Sequence, residues 1–111
     1  MNRTITAQEL RVLIDKAEPI TLIDVRRKAD YDADPQMIPN AVWRDPERVN
    51  QWSRDLPQDE EVVIYCVHGR SVSNSVVDHL QLKNIKARYI EGGIAAWNQI
   101  GAPVASKNDR R

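Results

Sequence analysis

Val62-Val63-Ile64-Tyr65-Cys66-Val67-His68-Gly69-Arg70-Ser71 is the stretch on which the fold turns. β-branched and aromatic residues run up to a thiol. A short loop with one glycine follows, and a helical pattern opens at Ser71. The run predicts a strand, the glycine a loop, and the pattern beyond it a helix. Cys66, the chain's only cysteine, therefore lies between a strand end and a helix N-terminus. A helix N-terminus offers unpaired N–H groups and the positive end of the helix dipole. Such surroundings lower a thiol pKa from about 8.5 into a range of roughly 3.5–7.5. On the local pattern two readings stand: a reactive thiolate, or a small buried hydrophobe that closes a core strand.

Working outward, the same alternation of short apolar runs and helical patterns recurs. Thr6 followed by Glu9 fits a capping box, and Leu10, Leu13, Ile14 and Ala17 recur at helical spacing, which predicts a helix over residues 7–17 ended by Pro19. Ile20-Thr21-Leu22-Ile23-Asp24-Val25 is a nearly continuous apolar strand of the kind buried on both faces in parallel sheets. Residues 26–39 read as a charged loop with one or two helical turns, and residues 41–43 as a short strand. Residues 46–56 read as a helix with Asp45 as cap and Pro46 at its first position. Residues 71–83 form the next helix, with Val72, Val76 and Leu80, and with Val77 and His79 on or near its packing stripe. Residues 87–90 form a strand, Glu91-Gly92-Gly93 a turn, and residues 94–100 a last helix stopped by Gly101 and Pro103. His79 belongs to its helix's packing face, and the three tryptophans read as core or loop anchors.

These elements predict an α/β fold: a parallel sheet of about five strands with helices on both faces, joined by right-handed crossovers. Residues 1–104 make one domain and 105–111 a polar C-terminal tail. In such sheets ligands bind beyond the carboxyl ends of strands, where both Asp24 and Cys66 fall.

Composition excludes several classes. The 111 residues hold 16 Lys plus Arg and 16 Asp plus Glu, so no net field recruits nucleic acid or an acidic membrane. One cysteine excludes an intrachain disulfide and suits a reducing compartment. With only His68 and His79 beside it, no four-ligand zinc site forms without carboxylates, and no metal is expected. No phosphate-binding glycine loop is present, and no cofactor is expected. The start of the chain has no apolar signal segment and no run is long enough to span a membrane, so the cytoplasm is the expected compartment.

In order and spacing the chain resembles the rhodanese (sulfurtransferase) domain family over about residues 4–104. Ile5-Thr6-Ala7-Gln8-Glu9-Leu10 is similar to the family's opening strand and helix, and Leu22-Ile23-Asp24-Val25-Arg26 to its second strand. Tyr65-Cys66-Val67-His68-Gly69-Arg70-Ser71 is similar to its active-site loop. Tyr89-Ile90-Glu91-Gly92-Gly93-Ile94-Ala95-Ala96-Trp97, with Gly101-Ala102-Pro103, is similar to its closing segment. The resemblance implies a sulfurtransferase. Cys66 attacks the outer sulfur of a small anionic donor such as thiosulfate, becomes a persulfide, and passes the sulfur to cyanide or to a thiol, free or on a protein. N–H groups of residues 67–71 are expected to cradle the anion, with Gly69 turning the loop through a positive φ. Arg70 either forks onto donor oxygens or stands solvated at the helix start, and His68 either meets the ligand or points outward. Ser71 either donates to the sulfur or caps the helix, and the cap is favoured. Asp24 and Arg26 resemble the family's structural pair beneath the loop.

The sequence also departs from the family pattern. Many relatives carry Arg five residues after the cysteine, where this chain has Ser71. A family His-Ile-Pro-Gly-Ala segment appears as Met37-Ile38-Pro39-Asn40-Ala41, and Asp30-Tyr31-Asp32-Ala33-Asp34 is unusually acidic. Trp43-Arg44-Asp45-Pro46 resembles modules linked to chromate or other oxyanion resistance. Two alternatives compete with sulfur transfer. One is a non-catalytic module that senses redox state or oxyanions through Cys66. The other is a phosphatase or arsenate reductase, which needs five residues between Cys and Arg, whereas three separate Cys66 from Arg70.

Overall fold

The computed structural model describes residues 3–106. In chain order the elements are β1 (Thr4–Ile5), α1 (Ala7–Asp15), β2 (Ile20–Asp24), α2 (Lys28–Ala33), β3 (Gln36–Met37) and β4 (Val42–Trp43). There follow α3 (Val49–Trp52), β5 (Glu61–Tyr65), α4 (Ser71–Leu82), β6 (Ala87–Ile90), α5 (Gly93–Gln99) and β7 (Ala105–Ser106). Five strands pair in the order β1-β6-β5-β2-β4, all parallel, as the sequence predicts. β5 lies in the middle, with Asp24 of β2 in register with Tyr65.

Strand parity divides the interior into two cores, because successive side chains on a strand face opposite ways. Leu22, Val63 and Tyr65 join Leu10 of α1 and Ile94 and Trp97 of α5 on one face. Ile23, Val62 and Ile64 join Val76, Val77 and Leu80 of α4 on the other. Cys66 continues the Val62–Ile64 parity and falls in the α4 core, at the end of the central strand.

The Thr6 capping box is present: Glu9 N–H donates to Thr6 Oγ1 at 3.0 Å, and Thr6 N–H donates to Glu9 Oε1 at 2.9 Å. α1 nevertheless ends at Asp15, two residues before the expected limit. Ala17 adopts φ +55° and Glu18 N–H donates back to the Leu13 carbonyl at 3.0 Å, so a left-handed turn stops the helix ahead of Pro19. The expected helix over 46–56 is broken into a 3₁₀ turn at Pro46–Arg48, one α turn, and a second 3₁₀ turn at Ser53–Asp55. Asp45 caps it as expected, accepting from Glu47 N–H at 2.9 Å.

Each tryptophan ties a loop by donating to a backbone carbonyl. Trp43 reaches Arg26, Trp52 reaches Asp45 and Trp97 reaches Pro103, at 2.9, 2.7 and 2.8 Å. Ala105 and Ser106, assigned above to the tail, pair antiparallel with Met37 and Gln36. Residues 107–111 lie outside the described residues. Among those described, no helix is long and apolar enough to cross a membrane.

Candidate active site

β5 ends at Tyr65, and the chain bends through residues 67–70 before α4 begins. Gly69 takes φ +66°, the sign expected from the sequence. The loop is held from the far side by α5. Ile94 N–H donates to the Cys66 carbonyl at 3.0 Å and Ala95 N–H to the Val67 carbonyl at 3.1 Å. A helix start thus spends its unpaired donors on the loop's carbonyls. This contact explains Gly93: a Cβ there would lie 2.3 Å from the Cys66 oxygen, and one on Gly69 would lie 2.6 Å from the Ile90 oxygen. Among the described residues, the backbone N–H groups of residues 67–73 donate to no protein acceptor, so the loop and the first turn of α4 keep their donors free.

The thiol sits at that first turn. Ser73 Oγ donates to Cys66 Sγ at 2.9 Å, with Ser73 fully buried and Cys66 6% exposed. The sulfur contact falls to Ser73 and not to Ser71, and the favoured cap role of Ser71 is also corrected. Arg70 occupies the N-cap position without a side-chain cap, and Ser71 is already the first helical residue. Asn74 secures this end instead, its N–H and Nδ2 donating to the Arg70 carbonyl at 3.0 and 3.2 Å. Arg3, which the sequence did not mark, donates in turn to Asn74 Oδ1 and pairs with Asp78 at 2.6 Å. Ser73 is the one polar residue among the buried positions 73, 76, 77 and 80 of α4, a pattern visible only once the helix's buried face is known.

Cys66 opens on a pocket of about 230 Å³ whose walls include Val67, His68, Arg70 and Ser71 from the loop, and Arg27 and Asp30 from the opposite side. Every loop residue singled out in the sequence except Gly69 lines it, and Gly69 shapes the turn from behind. His68 and Arg70 are exposed. Arg27 was not singled out and Asp30 was marked only as part of the acidic stretch, because nothing in their spacing ties them to Cys66.

Asp24 and Arg26 lie beneath. Arg26 is 1% exposed and its guanidinium donates to both Asp24 oxygens at 2.7–3.1 Å, to Asp34 Oδ2 at 3.1 Å and to the Gln36 carbonyl at 3.0 Å. Burial opposes its charge, but the Asp24 hydrogen bonds and carboxylate outweigh this, and its pKa is raised. The pair therefore ties the end of β2 to residues 34–36; among the described residues none of its hydrogen bonds reaches the 67–71 loop, but Arg26 itself lines the Cys66 pocket beside Arg27. Part of the acidic stretch finds its purpose here: Asp34 completes the Arg26 shell, Asp32 pairs with Lys28, and Tyr31 stacks on Trp43 with centroids 4.9 Å apart. The two departures at 37 and 40 are also accommodated. Met37 is buried in the α1/α5 core, and Asn40 stands at φ +68°, a conformation asparagine tolerates better than most residues. No group of His, Cys, Asp or Glu is placed to hold a metal ion among the described residues.

A parallel five-stranded α/β sheet with a lone cysteine at the carboxyl end of its central strand, held in a glycine loop, defines the class. The Rhodanese-like domain model matches residues 6–100, and the chain belongs to that family. Over 98 residues it is 31% identical to a "Thiosulfate sulfurtransferase GlpE" of Coxiella burnetii, covering 87% of this chain and 88% of the relative. It is 32% identical over 98 residues to a Mycobacterium tuberculosis protein named "Probable adenylyltransferase/sulfurtransferase MoeZ". The match covers 85% of this chain but spans only 24% of that relative's length. The crystal structure of a rhodanese-related protein from Thermoplasma volcanium superposes with TM-score 0.77 at 25% identity, covering 93% of this chain and 97% of that one.

Proposed function

We propose that this chain is a sulfurtransferase that carries a sulfane sulfur on Cys66, taking it from thiosulfate or a similar small anion and giving it to a thiol or cyanide. The observation that carries the reading is the placement of Cys66 Sγ. It lies at the first turn of α4, takes a hydrogen bond from buried Ser73, and opens on a pocket shared with Arg70 and His68. The family membership and the sulfurtransferase names of the relatives support the same class of reaction.

In the first half-reaction the Cys66 thiolate attacks the outer sulfur of thiosulfate. The new Sγ–S bond forms as the donor's S–S bond breaks, and sulfite leaves with the electron pair. The product is an anionic Cys66 persulfide. In the second half-reaction the acceptor attacks the outer sulfur and Cys66 leaves as thiolate. No general base is needed if the thiolate is already formed. The chain's contribution is electrostatic: the Ser73 hydroxyl donates to the sulfur, and the N–H groups of residues 67–73, which donate to no protein acceptor among the described residues, are left to stabilise its negative charge. Arg70 supplies the charge that draws and orients an oxyanionic donor. The short Cys66–Arg70 spacing leaves no room for the tetrahedral clamp of a phosphatase. The cytoplasm is the compartment that suits a lone, unpaired thiol.

The test is intact-mass analysis after incubation with thiosulfate and removal of small molecules. The wild type is expected to gain one sulfur atom, and Cys66→Ser none. Sulfur uptake by the Ser variant would remove Cys66 from the chemistry. A wild type that gains no sulfur from thiosulfate or other sulfane donors would favour a sensing module.

A further inference from the structure

A side chain at the N-cap of a helix ordinarily accepts a hydrogen bond from the N–H of the second or third helical residue. In α4 those residues are Val72 and Ser73, and their N–H groups are among the donors that no protein group takes up in the described residues. A Ser, Thr or Asp cap at position 70 would consume one of them. Arg70 stands there and makes no side-chain cap bond. The first turn of α4 is held instead by a carbonyl, and from outside the loop.

Asn74 and Arg3 make that hold. The Arg70 carbonyl accepts from Asn74 N–H at 3.0 Å and from Asn74 Nδ2 at 3.2 Å, which uses both its lone pairs. The Asn74 amide is oriented in turn. One guanidinium nitrogen of Arg3 donates to Asn74 Oδ1 and to the Asn74 carbonyl, each at 3.2 Å. With Oδ1 turned to Arg3, Nδ2 is left to face Arg70. Arg3 is itself fixed at two points. Its carbonyl accepts from Tyr89 N–H of β6 at 2.9 Å, and its other terminal nitrogen pairs with Asp78, one helical turn beyond Asn74, at 2.6 Å. The contact joins residues 71 apart in sequence and ties the edge of the sheet to the helix that receives the thiol. Asn74 also follows Ser73 directly, so holding Asn74 sets the approach of the Ser73 hydroxyl to Cys66 Sγ.

We propose that Asn74 is a positioning residue for sulfur transfer and that Arg3 acts through it. This rests on the sulfur-transfer reading and adds two residues that touch neither the sulfur nor the pocket wall. Asn74 does from the carbonyl side what a capping side chain does from the N–H side. It fixes the first turn of α4 against the loop, and it leaves the turn's N–H groups available to the negative charge that Cys66 carries as thiolate and as persulfide. Arg3 keeps the Asn74 amide from turning over, which would point its oxygen at the Arg70 carbonyl.

The experiment compares the full chain with Asn74→Ala, Arg3→Ala and the double variant, each corrected for its folded fraction. One readout is single-turnover sulfur loading from saturating thiosulfate, followed by intact mass. The other is the rate of Cys66 alkylation by iodoacetamide, an uncharged reagent, at one mildly acidic pH, which follows the thiolate fraction. Alanine is the best helix former, so Asn74→Ala leaves α4 helical. It is expected to slow loading and alkylation alike by about three- to fivefold, the scale of one hydrogen bond. It removes no charge, so slower alkylation in this variant is not the loss of a cation's field. Arg3→Ala is expected to slow both rates in the wild-type background and to add little in the Asn74→Ala background. Unchanged loading and alkylation in Asn74→Ala, whatever its stability, overturn the positioning role. An Arg3→Ala effect of equal size with and without Asn74 shows that Arg3 acts by its own charge, and overturns the relay. If the wild type takes up no sulfur, the sulfur-transfer reading fails, and the alkylation rates still decide whether Asn74 sets the thiol.

Discussion

Ser73 lies seven residues beyond Cys66, yet its hydroxyl is 2.9 Å from the sulfur. A buried serine needs a partner, and in this core the sulfur supplies it. While Cys66 is a thiol the contact is a weak hydrogen bond. Once the sulfur is anionic the contact becomes charge-assisted, and bonds to charged groups contribute about 1.5–3 kcal/mol. Ser73→Ala is therefore expected to slow sulfur uptake from thiosulfate about tenfold or more, with KM for the donor little changed, because Ser73 lies behind the sulfur and not on the donor's path. Single-turnover loading followed by intact mass gives the rate; an unchanged rate would reduce Ser73 to packing. The sequence placed the loop between β5 and α4, but it weighed only Ser71 as a donor to the sulfur, favoured that residue as the helix cap, and did not mark Ser73. The reason is the rotation of α4. A stripe through 72, 76 and 80 and one through 73, 76, 77 and 80 are nearly indistinguishable as apolar patterns. Only the packing of α4 on Ile23, Val62 and Ile64 selects the second and turns Ser73 inward.

At the scale of elements, the active-site loop is a joint between β5 and two helix starts. α4 receives the thiol on its first turn, and α5 grips the loop's carbonyls through Ile94 and Ala95. Gly93 permits the second grip, because its absent side chain leaves room for the Cys66 and Val67 oxygens. Gly93→Ala forces a clash with backbone at a residue of φ +62°, where neither partner yields cheaply. It is expected to destabilise the domain by about 2–3 kcal/mol and to lower sulfur uptake in the fraction that folds. Urea unfolding monitored by tryptophan fluorescence measures the first effect and the mass assay the second. Much at this scale was legible. The Thr6–Glu9 box, the Asp45–Pro46 start, the span of β5 and the turn at Gly92-Gly93 are local rules of the chain. The break in the expected 46–56 helix and the β3–β7 pairing were not, since each depends on segments distant in sequence.

Across the whole molecule, one sheet separates two cores, and polar groups buried at its carboxyl edge link the strands to the segments that cross it. Tyr65 is the pivot. Its ring packs with Leu22 and Val63, its oxygen accepts from Ile38 N–H at 3.3 Å, and the Asp24 carboxylate stands nearby. Burial first, and the Asp24 charge second, push its pKa well above the ordinary phenol value. A phenol whose folded pKa is raised contributes stability that is fully present below the unfolded value, about 10, and is lost as pH rises beyond it. Folding stability is therefore expected to fall above about pH 10 more steeply in the wild type than in Tyr65→Phe. Denaturation midpoints at pH 8, 10 and 11 for both proteins check this; parallel slopes would show that Tyr65 is free to ionise in the fold.

The chain's own order of residues determined the α/β class, the parallel sheet and the position of Cys66 at a strand's carboxyl end. Those features follow from periods of two and 3.6 residues, from caps and from turns, which act between near neighbours. Tertiary structure decided what surrounds the sulfur. Ser73 behind it and Arg27 and Asp30 across from it come from separate elements. Strand order, strand parity and helix rotation bring them together. These are global choices set by burying two apolar faces at once, and no local pattern encodes the distance between residues that meet only when both cores close.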